Sequence, residues 1–129
     1  MKTKVAGLIV FTMLIAMQGA YAADVADLKG TWSGSWQPAG GAPDAVTVEI
    51  QEEGGKLSGK FRTPLPLDFS KVTFDAKTAA VAIVATDSKS GKQFRIDGKL
   101  DGLEIRGSMT QGDTKGTVML IKWTYVPRL

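Results

Sequence analysis

Trp32-Ser33-Gly34-Ser35-Trp36 decides the reading of this chain. An apolar residue, a spacer, a glycine, a spacer and a second apolar residue make a period of two, so the apolar pair and the glycine share one face of a strand. The same unit returns as Leu57-Ser58-Gly59-Lys60-Phe61, Ile96-Asp97-Gly98-Lys99-Leu100 and Ile105-Arg106-Gly107-Ser108-Met109. A central glycine removes bulk from the apolar row and lets a strand bend, which a small closed sheet requires. The glycine rows have two readings. They leave interior space for a ligand, or they serve only curvature and tight packing.

Outward from these units the alternation continues. Runs are expected at Gly30 to Gln37, Ala45 to Glu53, Lys56 to Arg62, Phe69 to Asp75, Thr78 to Thr86, Gln93 to Leu100, Leu103 to Thr110 and Gly116 to Val126. Thr78 to Thr86 is almost continuously small and apolar, as in a strand covered on both faces. Gly, Asp and Pro clusters separate the runs, and no helical apolar stripe longer than two turns follows Ala23. Residues 23–28 have room for one turn of helix. Short turns between successive runs predict an antiparallel meander, and eight such strands can close into an up-and-down barrel. The expected fold is therefore an all-β, eight-stranded antiparallel β-barrel, with a two-sheet β-sandwich as the alternative.

The start of the chain reads as an address. Lys2 and Lys4 precede an apolar run from Val5 to Met17, and Ala20-Tyr21-Ala22 has small residues at both key positions of a cleavage site. The apolar run is shorter than the roughly 17–25 residues of a spanning helix. Residues 1–22 are thus expected to be a signal peptide and 23–129 a single exported domain, periplasmic or extracellular, with no membrane span after cleavage. Without Lys2 and Lys4 the formal charge falls from +3 to +1. No run of Lys and Arg exceeds two residues, so no nucleic-acid partner is expected, because a phosphate-backbone binder needs clustered cations.

The chain contains no His and no Cys. That composition removes a Ser-His-Asp triad, a Cys nucleophile, a Cys/His zinc site and a disulfide. Carboxylates remain, at Glu49, Glu52, Glu53, Asp97, Asp101 and Glu104, but they alternate with apolar residues and so face outward rather than across a cleft. Asp87 to Gly91 has too few acidic ligands for a calcium loop. No catalytic residues, metal or cofactor are expected.

Aromatic residues carry the binding signal. Trp32, Trp36, Phe61 and Trp123 are the candidate walls of an apolar pocket, with Lys122 as a polar anchor; the bland alternative is an ordinary core. On the last run, Met119, Ile121, Trp123 and Tyr125 share one face, with Val118, Leu120 and Lys122 opposite. Two loops stand out. One is Gln37 to Pro43. The other is Thr63 to Leu67, whose Leu65 and Leu67 either plug a barrel end or offer an apolar contact to a partner.

Leu28-Lys29-Gly30-Thr31-Trp32 resembles the Gly-x-Trp signature that opens the first strand of calycins, the lipocalin and avidin kind of β-barrel. Gly54-Gly55-Lys56-Leu57-Ser58-Gly59-Lys60-Phe61 resembles the second hairpin of an avidin. The resemblance implies that Trp32 packs at one barrel end beneath a basic residue of the last strand, here Lys122 with Arg128 just beyond. Avidins carry an Asn two residues after the first Trp; Gly34 stands there, so no biotin site is implied. The chain is also short for a lipocalin and shows no C-terminal helix.

Two functions are expected on these grounds. The first is an exported, non-catalytic binding protein holding a small apolar or amphipathic ligand in the barrel. The second is a protein-binding module, such as an exported protease inhibitor or envelope interaction protein. Free interior volume points to the first, and a filled interior with exposed apolar surface points to the second.

Overall fold

The structure is a computed structural model and describes residues 24–124. The leader assigned to residues 1–22, and Tyr125 with the residues after it, lie outside the described residues. A short 3₁₀ turn, Val25–Leu28, precedes nine strands: β1 (Gly30–Pro38), β2 (Asp44–Glu53), β3 (Lys56–Thr63), β4 (Leu67–Asp68), β5 (Lys71–Asp75), β6 (Ala80–Thr86), β7 (Gln93–Asp101), β8 (Glu104–Gln111) and β9 (Thr114–Lys122). All pairings are antiparallel, in one sheet of order β4-β3-β2-β1-β9-β8-β7-β6-β5. The chain is a meander whose first strand lies beside its last.

The all-β expectation holds, and two details are corrected. There are nine strands rather than eight, and the sheet curls into a half-barrel without closing. Both corrections arise where the loop expected at Thr63 to Leu67 meets the run expected at Phe69 to Asp75. Leu67 and Asp68 pair with Phe61 and Lys60 of β3, and the Phe69 N–H donates to the Gly59 carbonyl at 2.9 Å. At the next residue the chain changes sides. The Ser70 N–H and hydroxyl both donate to the Val84 carbonyl of β6, at 2.8 and 3.0 Å. A single stretch thus divides between the two ends of the sheet, and no ladder joins them. The sandwich alternative is also set aside, since all nine strands belong to one hydrogen-bonded sheet.

The core lies on the inner face and follows the period of two. Trp32, Trp36, Val46, Val48, Ile50, Phe61, Ile83, Phe94, Ile96, Ile105 and Leu120 are buried there. Each large apolar side chain so buried contributes on the order of 1.5–3 kcal/mol. In β6 only Val81, Ile83 and Ala85 are buried while Ala80, Ala82 and Val84 are half exposed, so one face is covered rather than two.

The four central glycines are points of close backbone approach. A Cβ at Gly34 would collide with the Met119 carbonyl, at Gly59 with that of Glu49, and at Gly107 with that of Asp97; at Gly98 it would stand 2.8 Å from the Arg106 carbonyl. The Gly59 side-chain position is also taken by the Phe69 ring, 2.7 Å away. That ring meets Phe61 edge-on, with centroids 5.4 Å apart. These glycines serve curvature and packing.

Candidate functional site

The inner face brings together four of the five residues expected to line a pocket. Trp32 is fully buried at the end closed by the 3₁₀ turn, and its indole N–H donates to the Leu28 carbonyl at 2.8 Å. Asp24 caps that turn reciprocally with Asp27. Lys122 lies above, its Nζ 5.6 Å from the Trp32 ring centroid and donating to the Asp27 carbonyl at 2.9 Å. The cation–π contact implied by the resemblance is therefore present, and the ammonium is bonded to the protein's own cap. Phe61 is packed between Phe69 and Phe94, the latter with centroids 6.1 Å apart. Trp36 is only 3% exposed, and its indole N–H has no hydrogen-bond partner among the described residues.

Trp123 is placed elsewhere. It follows Lys122 directly, and neighbours on an extended chain point to opposite faces. Lys122 turns inward and Trp123 outward, 63% exposed, so Trp123 does not join Trp32, Trp36 and Phe61 on the inner face. Its backbone N–H still donates to the Thr31 carbonyl at 2.8 Å, which fixes it against β1. In the loop after β3, Leu65 is exposed (41%), whereas Leu67 is half buried against the core. The two leucines thus divide between the readings, Leu67 as part of the plug and Leu65 as free surface.

The outer face of β9 is a surface that sequence reasoning misses. Met119, Ile121 and Trp123 form an exposed apolar row in the middle of the sheet. On one flank Ser35 and Ser33 of β1 stand opposite Met119 and Ile121; on the other, Arg106 and Glu104 of β8 stand opposite the same two residues. Arg106 and Glu104 are joined by an ion pair of 2.9 Å. A shallow groove of about 380 Å³ runs past Met119 between Ser35, Gln37, Thr117 and Arg106. It meets a larger one, about 480 Å³, bounded by Thr73, Asp75, Ala80, Ala82 and Asp97, at Arg106 and Gly107. The sequence signal was available: the face shared by Met119, Ile121 and Trp123 had to be outside once Leu120 was inside.

The carboxylates are outward, and Glu49, Glu52, Asp97 and Glu104 among them are engaged. Glu49 is bonded by Arg62 at 3.0 Å and lies 3.8 Å from Lys60 Nζ. Asp97 binds Arg95 at 2.7 Å, and that hydrogen bond and charge hold the Arg95 guanidinium above its ordinary pKa. Glu52 accepts from the Gly55 N–H within its turn, and Asp87 accepts from Lys89 N–H and the Ser90 hydroxyl within the next hairpin connection but two. Among the described residues no group of three acidic side chains is placed to hold a metal ion, and no helix is long and apolar enough to cross a membrane. No family model matches this chain, and no curated protein matches it.

Proposed function

We propose that this chain is an exported, non-catalytic binding module that docks a protein partner on the outer face of β9. The observation that carries this reading is the contrast between the two faces of one strand. Leu120 and its inner neighbours Trp32, Trp36 and Phe61 are packed against one another, while Met119, Ile121 and Trp123 face solvent in the centre of the sheet. An apolar row with a hydroxyl flank and a charged flank has the layout of a protein interface, apolar at its centre and polar at its rim. Its partner presents an apolar ridge two or three side chains long, bordered by groups that hydrogen-bond Ser33 and Ser35 and pair with Arg106 and Glu104. Trp123 supplies the large aromatic anchor typical of such contacts.

One observation supports a second reading, the carriage of a small molecule. Among the described residues the buried Trp36 indole N–H and Gln111 side-chain amide N–H lack partners, and a ligand with an acceptor oxygen would satisfy a donor there.

The experiment compares Trp123→Ala/Ile121→Ser and Trp36→Phe with the unchanged protein. Partners are captured from the exported fraction, and native mass spectrometry looks for a co-purifying small molecule. Loss of one defined protein partner in the first variant alone supports docking at β9. A stoichiometric small molecule lost in Trp36→Phe, with no partner sensitive to Trp123, overturns it.

A further inference from the structure

Met119 stands in the exposed row of β9 and is the one outward methionine among the described residues. It is 40% exposed, whereas Met109 of β8 is fully buried. Met1, Met13 and Met17 fall in the expected leader. A thioether exposed in this way is open to a two-electron oxidant, which turns a flexible apolar side chain into a polar one.

Its two cross-strand neighbours are both hydrogen-bond donors. Ser35 of β1 and Arg106 of β8 lie opposite Met119, one on each side, and all three line the same shallow groove of about 380 Å³. Residues directly opposed on one face of an antiparallel pair hold their Cβ atoms about 4.5–5.5 Å apart. Arg106 gives its Nε–H to Glu104 at 2.9 Å, which leaves its terminal nitrogens without a partner among the described residues. The thioether sulfur offers these donors only a weak acceptor. A sulfoxide oxygen offers a stronger one, and a guanidinium is a charged donor to it. The groove gives an oxidant access to the sulfur and gives the added oxygen room. We propose that Met119 is a reversible oxidation site, whose sulfoxide oxygen is received by Arg106 and Ser35 and switches off docking at β9. The sulfur lone pair attacks one oxygen of a peroxide. The S–O bond forms, the O–O bond breaks, and the second oxygen leaves as water with the proton of the transferred hydroxyl. Sulfur loses two electrons and the peroxide gains them. The switch rests on the reading of β9 as an interface: the added oxygen makes its apolar centre polar and draws Arg106 away from the partner. The fold is unaffected, because this side chain lies outside the core.

The test treats the protein as its host processes it, Met119→Leu and Arg106→Leu with hydrogen peroxide. Peptide mapping follows the gain of one oxygen at each methionine. Met119 is expected to oxidise at least roughly tenfold faster than Met109, with the thermal midpoint kept while Met109 stays reduced. Methionine sulfoxide reductases A and B then repair the oxidised protein. Repair is expected to be faster in Arg106→Leu, where the sulfoxide has lost its charged donor. Partner capture from the exported fraction is compared before oxidation, after it and after repair. It is expected to fall roughly tenfold on oxidation of the unchanged protein, to return on repair, and to persist throughout in Met119→Leu. A Met119 that oxidises no faster than Met109, or is repaired equally fast in Arg106→Leu, overturns the site. Capture that falls equally in Met119→Leu overturns the switch. A protein that captures no partner before oxidation overturns the docking reading and the switch with it, while the mapping still decides the site.

Discussion

Lys122, the final residue of the last strand, holds its ammonium 5.6 Å from the ring centroid of Trp32 near the start of the first strand, and also donates to the Asp27 carbonyl. One side chain thereby ties β9, β1 and the cap together. Its stem also fills the space beside Gly30, where a Cβ would stand 2.9 Å from Lys122 Cε. Lys122→Met keeps the stem and removes the charge. It is expected to lower unfolding free energy by about 1–2 kcal/mol in urea titration, and Lys122→Arg to lose less.

The two buried tryptophans answer differently to Phe. Trp32→Phe leaves the Leu28 carbonyl without its donor, whereas Trp36→Phe removes a donor that has no partner among the described residues. Both lose ring volume, so the difference between them reports the Trp32 hydrogen bond together with the weakened Lys122 contact on that ring. Trp32→Phe is expected to cost about 1–3 kcal/mol more, read as a difference in denaturation midpoints at equal slope.

Gly107 and Gly54 separate close approach from turn conformation. Gly54 has φ of +58° and nothing near its missing Cβ, so Gly54→Ala carries only local strain, about 1–2 kcal/mol. At Gly107 a Cβ meets the backbone of β7, which cannot rotate away as a side chain does. Gly107→Ala is expected to cost more than about 3 kcal/mol or to prevent folding. Far-ultraviolet circular dichroism and thermal melts distinguish the two.

Trp123 is the exposed member of the three tryptophans. Trp123→Ala is expected to leave stability within about 0.5 kcal/mol while removing the acrylamide-quenchable part of the intrinsic fluorescence. In the unchanged protein, a partner bound at β9 protects that same part from quenching. Quenching that does not change on partner binding places the contact elsewhere.

Much of the fold is legible in the sequence because a period of two leaves little freedom. Trp32, Trp36, Val46, Val48, Ile50, Phe61 and Phe94 all lie where alternation puts them. Ser70 is different. The apolar positions change phase there, from Leu67 and Phe69 to Val72 and Phe74, but which strand each side of the break pairs with depends on the carbonyl that the Ser70 N–H meets, a matter of three-dimensional register. The ninth strand and the open seam both lie at this break, where Leu67 and Asp68 pair with β3 and Ser70 bonds to β6. The outward placement of Trp123 is legible from strand alternation, because Lys122, one residue before it, faces Trp32. At the candidate site, the outward apolar row could be read from spacing. Its central place in the sheet could not, because that depends on β1 pairing with β9 across most of the chain length.

That pairing also shapes how the protein is made. The strand synthesised last sits between the two halves of the sheet, hydrogen-bonded to β1 on one side and β8 on the other. During translation β1–β4 and β5–β8 each have their hairpin partners, but no ladder joins one group to the other until β9 arrives, and long-range pairings of this kind are slow to form. The sheet thus stays in two parts until β9 is available to join them. A stop codon just before β9 would not trim one edge: it would leave two separate four-stranded sheets, each with its inner face open.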